Sequence, residues 1–164
     1  MKDMKKSNSN RCRLRWWCAA LCLAVLPLRA QEGLGVAQLF EKFDRADGVV
    51  SVNLSGNLLK AYDLTLYRSL VFDNVAPHEK EVELRIRHDA KSGQVVNRQE
   101  IVQNGSLRSA YYELSPVSRN RRKVNRFLLY KRTKENKATV VYVEGNIDAE
   151  QLMDILYRDK KKEK

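Results

Sequence analysis

The sequence predicts an α+β domain: a mainly antiparallel sheet with helices packed on one face. Three observations carry this. Several stretches alternate apolar and polar residues with period two, an Asn104-Gly105 pair separates two of them, and helix start or stop signals mark segments near the start, middle and end of the domain.

Val36, Leu39, Phe40 and Phe43 fall at i, i+3, i+4 and i+7, giving one apolar face to a helix over Val36 to Ala46 that Asp47-Gly48 ends. Val49 to Leu54 is rich in β-branched residues and sets Val50, Val52 and Leu54 on one face of a strand. Ser55-Gly56-Asn57 breaks that run, and Asn57 to Tyr62 fits a short helical segment. From Leu64 onward the even positions Leu64, Leu66, Leu70 and Phe72 read as a strand, although helical spacing fits almost as well.

Pro77 opens a segment with conflicting signals. Val82, Leu84 and Ile86 alternate as a strand would, yet Glu81 with Arg85 and Glu83 with Arg87 are i,i+4 ion pairs of favourable polarity. Proline suits a first helical turn and Gly93 the position past a helix end, so a helix is expected over His78 to Lys91. Arg98 to Gln103 and Leu107 to Leu114 flank Asn104-Gly105, a pair that tolerates the positive φ of a hairpin turn. Pro116 is expected to stop the second of these strands. Beyond a basic loop, Arg126 to Lys131 and Ala138 to Glu144 form another hairpin around Thr133 to Lys137, and both strands are apolar on both faces, which places them centrally. The final helix has Asp148 as cap, Gln151 answering three residues later and Ile147 set against Leu152 as a hydrophobic staple. Ala149, Leu152, Met153 and Leu156 give it an apolar face.

Ahead of the domain, Lys2, Lys5, Lys6, Arg11, Arg13 and Arg15 precede an apolar run from Trp16 to Leu28, and Leu28-Arg29-Ala30 puts a small residue before Gln31. The run is shorter than the roughly 20 residues a spanning helix needs. Residues 1–30 are therefore expected to be a signal peptide cleaved between Ala30 and Gln31, residues 31–157 a single domain, and residues 158–164 a basic tail. The protein is then periplasmic or secreted. Cys12, Cys18 and Cys22 all lie in the leader, so the cleaved chain would have no disulfide, no thiolate zinc site and no cysteine nucleophile. A cysteine-free exported domain of this size fits a bacterial envelope better than a eukaryotic secretory route.

Cleavage also changes the electrostatics. The whole chain carries +11, but residues 31–164 hold 24 Lys and Arg against 19 Asp and Glu, and residues 31–157 hold 19 against 17. The folded part is close to neutral, which argues against a dedicated nucleic-acid binder.

Residues able to carry chemistry are sparse. His78 and His88 lie ten apart, about 80° from a common line on a helix, and so do not share a metal. Gly33-Leu34-Gly35 lacks the third glycine and preceding strand of a phosphate cradle and reads as flexible leader. Asp44 to Gly48 lacks the alternating oxygen ligands of a calcium loop and reads as a helix end plus a turn. No serine stands in a G-x-S-x-G turn. Glu113 with Glu144 on neighbouring strands is the carboxylate pair a hydrolase would use. Arg119, Arg121, Arg122, Lys123 and Arg126 form the densest cation cluster, flanked by Tyr111, Tyr112, Phe127 and Tyr130, and are the candidate anion-binding site for phosphates or an anionic lipid surface. No cofactor and no metal is implied.

Tyr62 to Leu70 (YDLTLYRSL), Tyr111-Tyr112-Glu113-Leu114, Asn125 to Tyr130 (NRFLLY) and Val141 to Gly145 (VYVEG) with the helix after them resemble small exported Bacteroidetes proteins of unknown function. The resemblance covers most of residues 36–157. It implies a signal peptide and an α+β domain, and it carries over no catalytic or ligand residue. The expected function is a non-enzymatic envelope module that binds a protein or glycan partner through an uncovered, tyrosine-bearing sheet face. The alternatives are a polyanion or membrane-surface binder acting through Arg119 to Arg126, and a hydrolase with a carboxylate site.

Overall fold

The alternating stretches become six strands in a computed structural model, which describes residues 33–119 and 121–158. They are β1 (Val49–Ser55), β2 (Leu64–Phe72), β3 (Val95–Gln103), β4 (Ser106–Arg119), β5 (Arg122–Arg132) and β6 (Ala138–Gly145). Three α-helices accompany them among the described residues: α1 (Gly35–Phe43), α2 (Glu79–Lys91) and α3 (Ala149–Arg158). All strand pairs are antiparallel, in the order β1-β2-β6-β5-β4-β3. The doubly apolar strands β5 and β6 are central, as their composition requires. Strands β3 to β6 form a meander, and β6 returns to lie beside β2. The β3–β4 turn is the expected Asn104-Gly105, with φ of 52° and 79°.

The segment after Pro77 resolves as a helix. Val82 and Ile86 are buried while Leu84 is 65% exposed, a period of four and not of two. Glu83 pairs with Arg87 at 3.8 Å, but Glu81 reaches across to Lys42 on α1 at 2.6 Å.

Central strands that are apolar on both sides need cover on both. On one side, Phe40 and Phe43 of α1 and Val82 and Ile86 of α2 pack on Leu70, Phe72, Leu128, Tyr130, Val140 and Tyr142. Helices α1 and α2 cover this face of the expected antiparallel sheet, but the expectation that the helices all share one face is corrected by α3. The final helix lies on the other side, where Leu152 and Ile147 join Phe127, Val141, Val143 and Leu59 in a second, smaller cluster. Its start is the expected capping box. Gln151 N–H donates to Asp148 Oδ1 at 2.8 Å, and Asp148 N–H donates to Gln151 Oε1 at 2.9 Å. Its inward residues are Leu152 and Ile155, whereas Met153 is 38% exposed.

Three local expectations are corrected. Pro116 does not stop β4, which runs on to Arg119 through a register shift between Leu114 and Val117; an irregularity there tolerates a residue without an N–H. Leu64 does not share a face with Leu66, Leu70 and Phe72, because a second shift between Leu64 and Leu66 turns it into the smaller cluster. Gly145 lies opposite that shift, and a Cβ there would stand 2.6 Å from the Asp63 carbonyl oxygen, so only glycine permits the approach. Finally, the Val50, Val52 and Leu54 row of β1 is no core face: Val50 is 57% and Leu54 37% exposed. The leader, its cleavage point, the tail and the Leu156 side chain lie outside the described residues.

Candidate functional site

The basic stretch is not a loop but a tight turn. Arg119 and Arg122 face each other as the last pair of β4 and β5, and Arg121 turns the chain with φ of 64°, a conformation that L side chains rarely adopt. From this base the five candidate cations diverge.

Arg119 points inward along the sheet. Its Nε and one terminal nitrogen donate to the two carboxylate oxygens of Glu144 at 2.9 and 3.0 Å, a bidentate fork. Glu144 is 2% exposed and also accepts the Tyr142 hydroxyl at 2.8 Å. Burial, and then the Glu144 carboxylate, push the Tyr142 phenol far up, so it stays a donor at any physiological pH. Arg126 lies opposite Glu144 in the β5–β6 register and is 4% exposed. Its Nε donates to the Ser115 carbonyl at 2.8 Å and a terminal nitrogen to Gln94 Oε1 at 3.0 Å. Two of the five cations are therefore internal fasteners. Arg121, Arg122 and Lys123 remain on the surface of the turn, and no carboxylate partners them among the described residues.

The aromatic residues near this cluster in sequence do not join it in space. Tyr112 and Tyr130 are buried on the side covered by α1 and α2. The Tyr112 hydroxyl donates to Glu100, while burial pushes the Tyr130 phenol up to about 12. Tyr111 and Phe127 lie on the α3 side, ring centroids 6.2 Å apart, and burial likewise lifts Tyr111 to about 12. The expected open face bearing tyrosines is thus corrected: α3 and Leu59 cover its centre, and the doubly apolar central strands are the reason.

The proposed carboxylate pair is also separated. Glu144 faces the α1 and α2 side with Arg126, whereas Glu113 pairs in register with Phe127 on the α3 side and bonds Asn97 at 3.3 Å. One side of the sheet cannot present both. His78 packs edge-on against Phe43, centroids 4.9 Å apart, and His88 is exposed beside Asp89. Among the described residues no group of His, Asp and Glu gathers as metal ligands, and no helix is long and apolar enough to cross a membrane.

One polar residue escaped the sequence reading. Asp89 of α2 is fully buried, and its carboxylate accepts the N–H groups of Gly35 and of Val36, the latter at 2.8 Å. It caps α1 from another helix. A Cβ on Gly35 would stand 2.5 Å from the Arg85 carbonyl oxygen, so this glycine belongs to a helix contact and not to a flexible leader. A signal was available: Leu34, at the α1 cap, has no side-chain acceptor, so the first N–H groups had to find one elsewhere.

These features define an α+β domain whose buried polar groups fasten strands and helices together and which carries three consecutive exposed cations, Arg121, Arg122 and Lys123, on one turn. Residues 23–156 match a family of unknown function, DUF6108, and the chain belongs to that family. Comparison with curated proteins finds no match.

Proposed function

We propose that the protein is an exported component of a bacterial cell envelope, periplasmic or secreted after cleavage between Ala30 and Gln31, and that it works by binding a protein or glycan partner. The observation that favours binding over catalysis is the state of Glu144. The carboxylate best placed by sequence for acid–base work is held on both oxygens by Arg119 and again by Tyr142, and its suggested partner Glu113 faces the other way. Cell fractionation tests the reading. Envelope material should give a mature amino terminus at Gln31 and a partner that co-purifies in a defined ratio. Recovery of the working form from cytosol with Met1 intact would overturn it.

A second reading has its own observation. Arg121, Arg122 and Lys123 are exposed, consecutive and without a carboxylate partner among the described residues, on a turn whose base is pinned by the Arg119–Glu144 fork, a geometry suited to a polyanion or an anionic membrane surface. Replacing all three by Ala should weaken retention on heparin or on anionic vesicles and lower the slope of log affinity against log salt by about 2–3, near one per cation. Retention unchanged by the triple substitution rules this contact out.

A further inference from the structure

The two edges of the sheet are not alike. Strand β3 is protected: its register shifts near both ends, and it carries Arg98 and Glu100. Strand β1 has none of these devices. Its seven residues, VVSVNLS, include no charge and no proline, and they pair with β2 in unbroken register from Val49↔Phe72 to Ser55↔Leu66. A regular, uncharged, β-branched edge is a template for another strand.

The backbone groups that would meet such a strand can be assigned. Asp73 N–H donates to the Gly48 carbonyl at 2.9 Å, so Gly48 and the even residues after it bond β2, and Ser51, Asn53 and Ser55 direct their N–H and C=O away from the sheet. The even residues Val50, Val52 and Leu54 form the apolar row on the α3 side, facing Val71, Ser69 and Tyr67 of β2.

We propose that β1 is the dimer interface of this protein, pairing antiparallel with β1 of a second copy about a two-fold axis at Val52. The strand is complementary to itself. In this register Ser51 and Asn53 of each copy exchange hydrogen bonds through their outward groups. Val52 then stands opposite its own copy and Val50 opposite Leu54, as non-hydrogen-bonded pairs, the kind in which side chains approach most closely. In the middle of the strand apolar meets apolar and polar meets polar, and only the outermost pair sets the half-buried Val49 against Ser55. The two six-stranded sheets become one continuous sheet, and the surfaces of the Arg121–Lys123 turn stay free.

Sedimentation velocity of the purified protein over a range of concentrations tests this. The native protein should sediment as a dimer in the tens of micromolar. Asn53→Pro removes an outward N–H and none of the β1–β2 bonds, so it should give a monomer with an unchanged far-ultraviolet circular dichroism spectrum. Val52→Lys and Val52→Glu, each alone, set like charges face to face and should weaken dimerisation at least tenfold. Mixed in equal amounts they should dimerise again, because only a two-fold at Val52 brings the opposite charges together. A native protein that is monomeric throughout overturns the proposal, as does a dimer that survives Asn53→Pro or a mixture that fails to recover.

Discussion

Asp89→Ala is expected to cost about 3 kcal/mol of folding free energy, roughly the penalty for leaving two buried donors without an acceptor, and to lower the melting temperature by about 10 °C for a domain of this length. The size follows from place. Ordinary helix caps sit at the surface, where water replaces a lost side chain, but Asp89 is fully buried and both of its oxygens receive backbone N–H groups of another helix. Its loss frees the first turn of α1 and so loosens Val36, Leu39 and Phe40, all buried in the larger cluster. Gly35→Ala should have a similar effect from the other direction, since its Cβ would push α1 off the Arg85 carbonyl. Chemical denaturation measures both. A loss below about 0.5 kcal/mol in either variant, the range of ordinary surface substitutions, would show that α1 is not held this way.

The same carboxyl leaves a signature in pH. Burial raises its pKa, outweighing the hydrogen bonds from Val36 and Gly35 and the nearby His88, all of which act to lower it. A carboxyl whose folded value lies above its unfolded value binds protons more tightly in the native state. Its contribution to stability is therefore greatest below the ordinary aspartate range and declines as pH rises through the raised value. Asp89→Asn removes this slope. The difference in unfolding free energy between native protein and Asp89→Asn should narrow as pH rises through that window, and an unchanging difference would count against the assignment.

The parts of the fold that were legible in the sequence are those governed by neighbours along the chain. Asn104-Gly105 dictated its own turn, Asp148 and Gln151 their own cap, and the double-sided apolar runs of β5 and β6 could only be central. The parts that were hidden depend on partners far away. Val50, Val52 and Leu54 alternate as a core face does, but alternation reports that a face is apolar and not that anything covers it. The basic cluster misled for a related reason. Arg119 and Arg126 look like Arg121 and Arg122 in composition, and only the register of β5 against β6, which sets Arg126 beside Glu144, shows which guanidinium groups are turned inward. Gly35 and Asp89, 54 positions apart, carry no mutual signal in one sequence.

The Arg119–Glu144 fork should show a marked asymmetry between its two halves. Arg119→Met leaves a carboxylate at 2% exposure with the Tyr142 hydroxyl as its one remaining side-chain donor among the described residues, and removing one partner of a buried pair costs about 3–5 kcal/mol. Glu144→Gln should cost less, about 1–2 kcal/mol, because an amide oxygen still accepts from Arg119 or Tyr142 and the guanidinium, 24% exposed, keeps access to water. The double substitution Arg119→Met with Glu144→Gln should be more stable than Arg119→Met alone, since the buried carboxylate that lost its fork has gone. That recovery distinguishes a pair in which Arg119 neutralises a buried carboxylate from one in which its side chain merely packs. If the costs add, or if Arg119→Met is nearly neutral, Glu144 does not depend on this arginine. The base of the Arg121–Lys123 turn would then be free to move, and the turn would lose the fixed geometry on which the proposed anion contact rests.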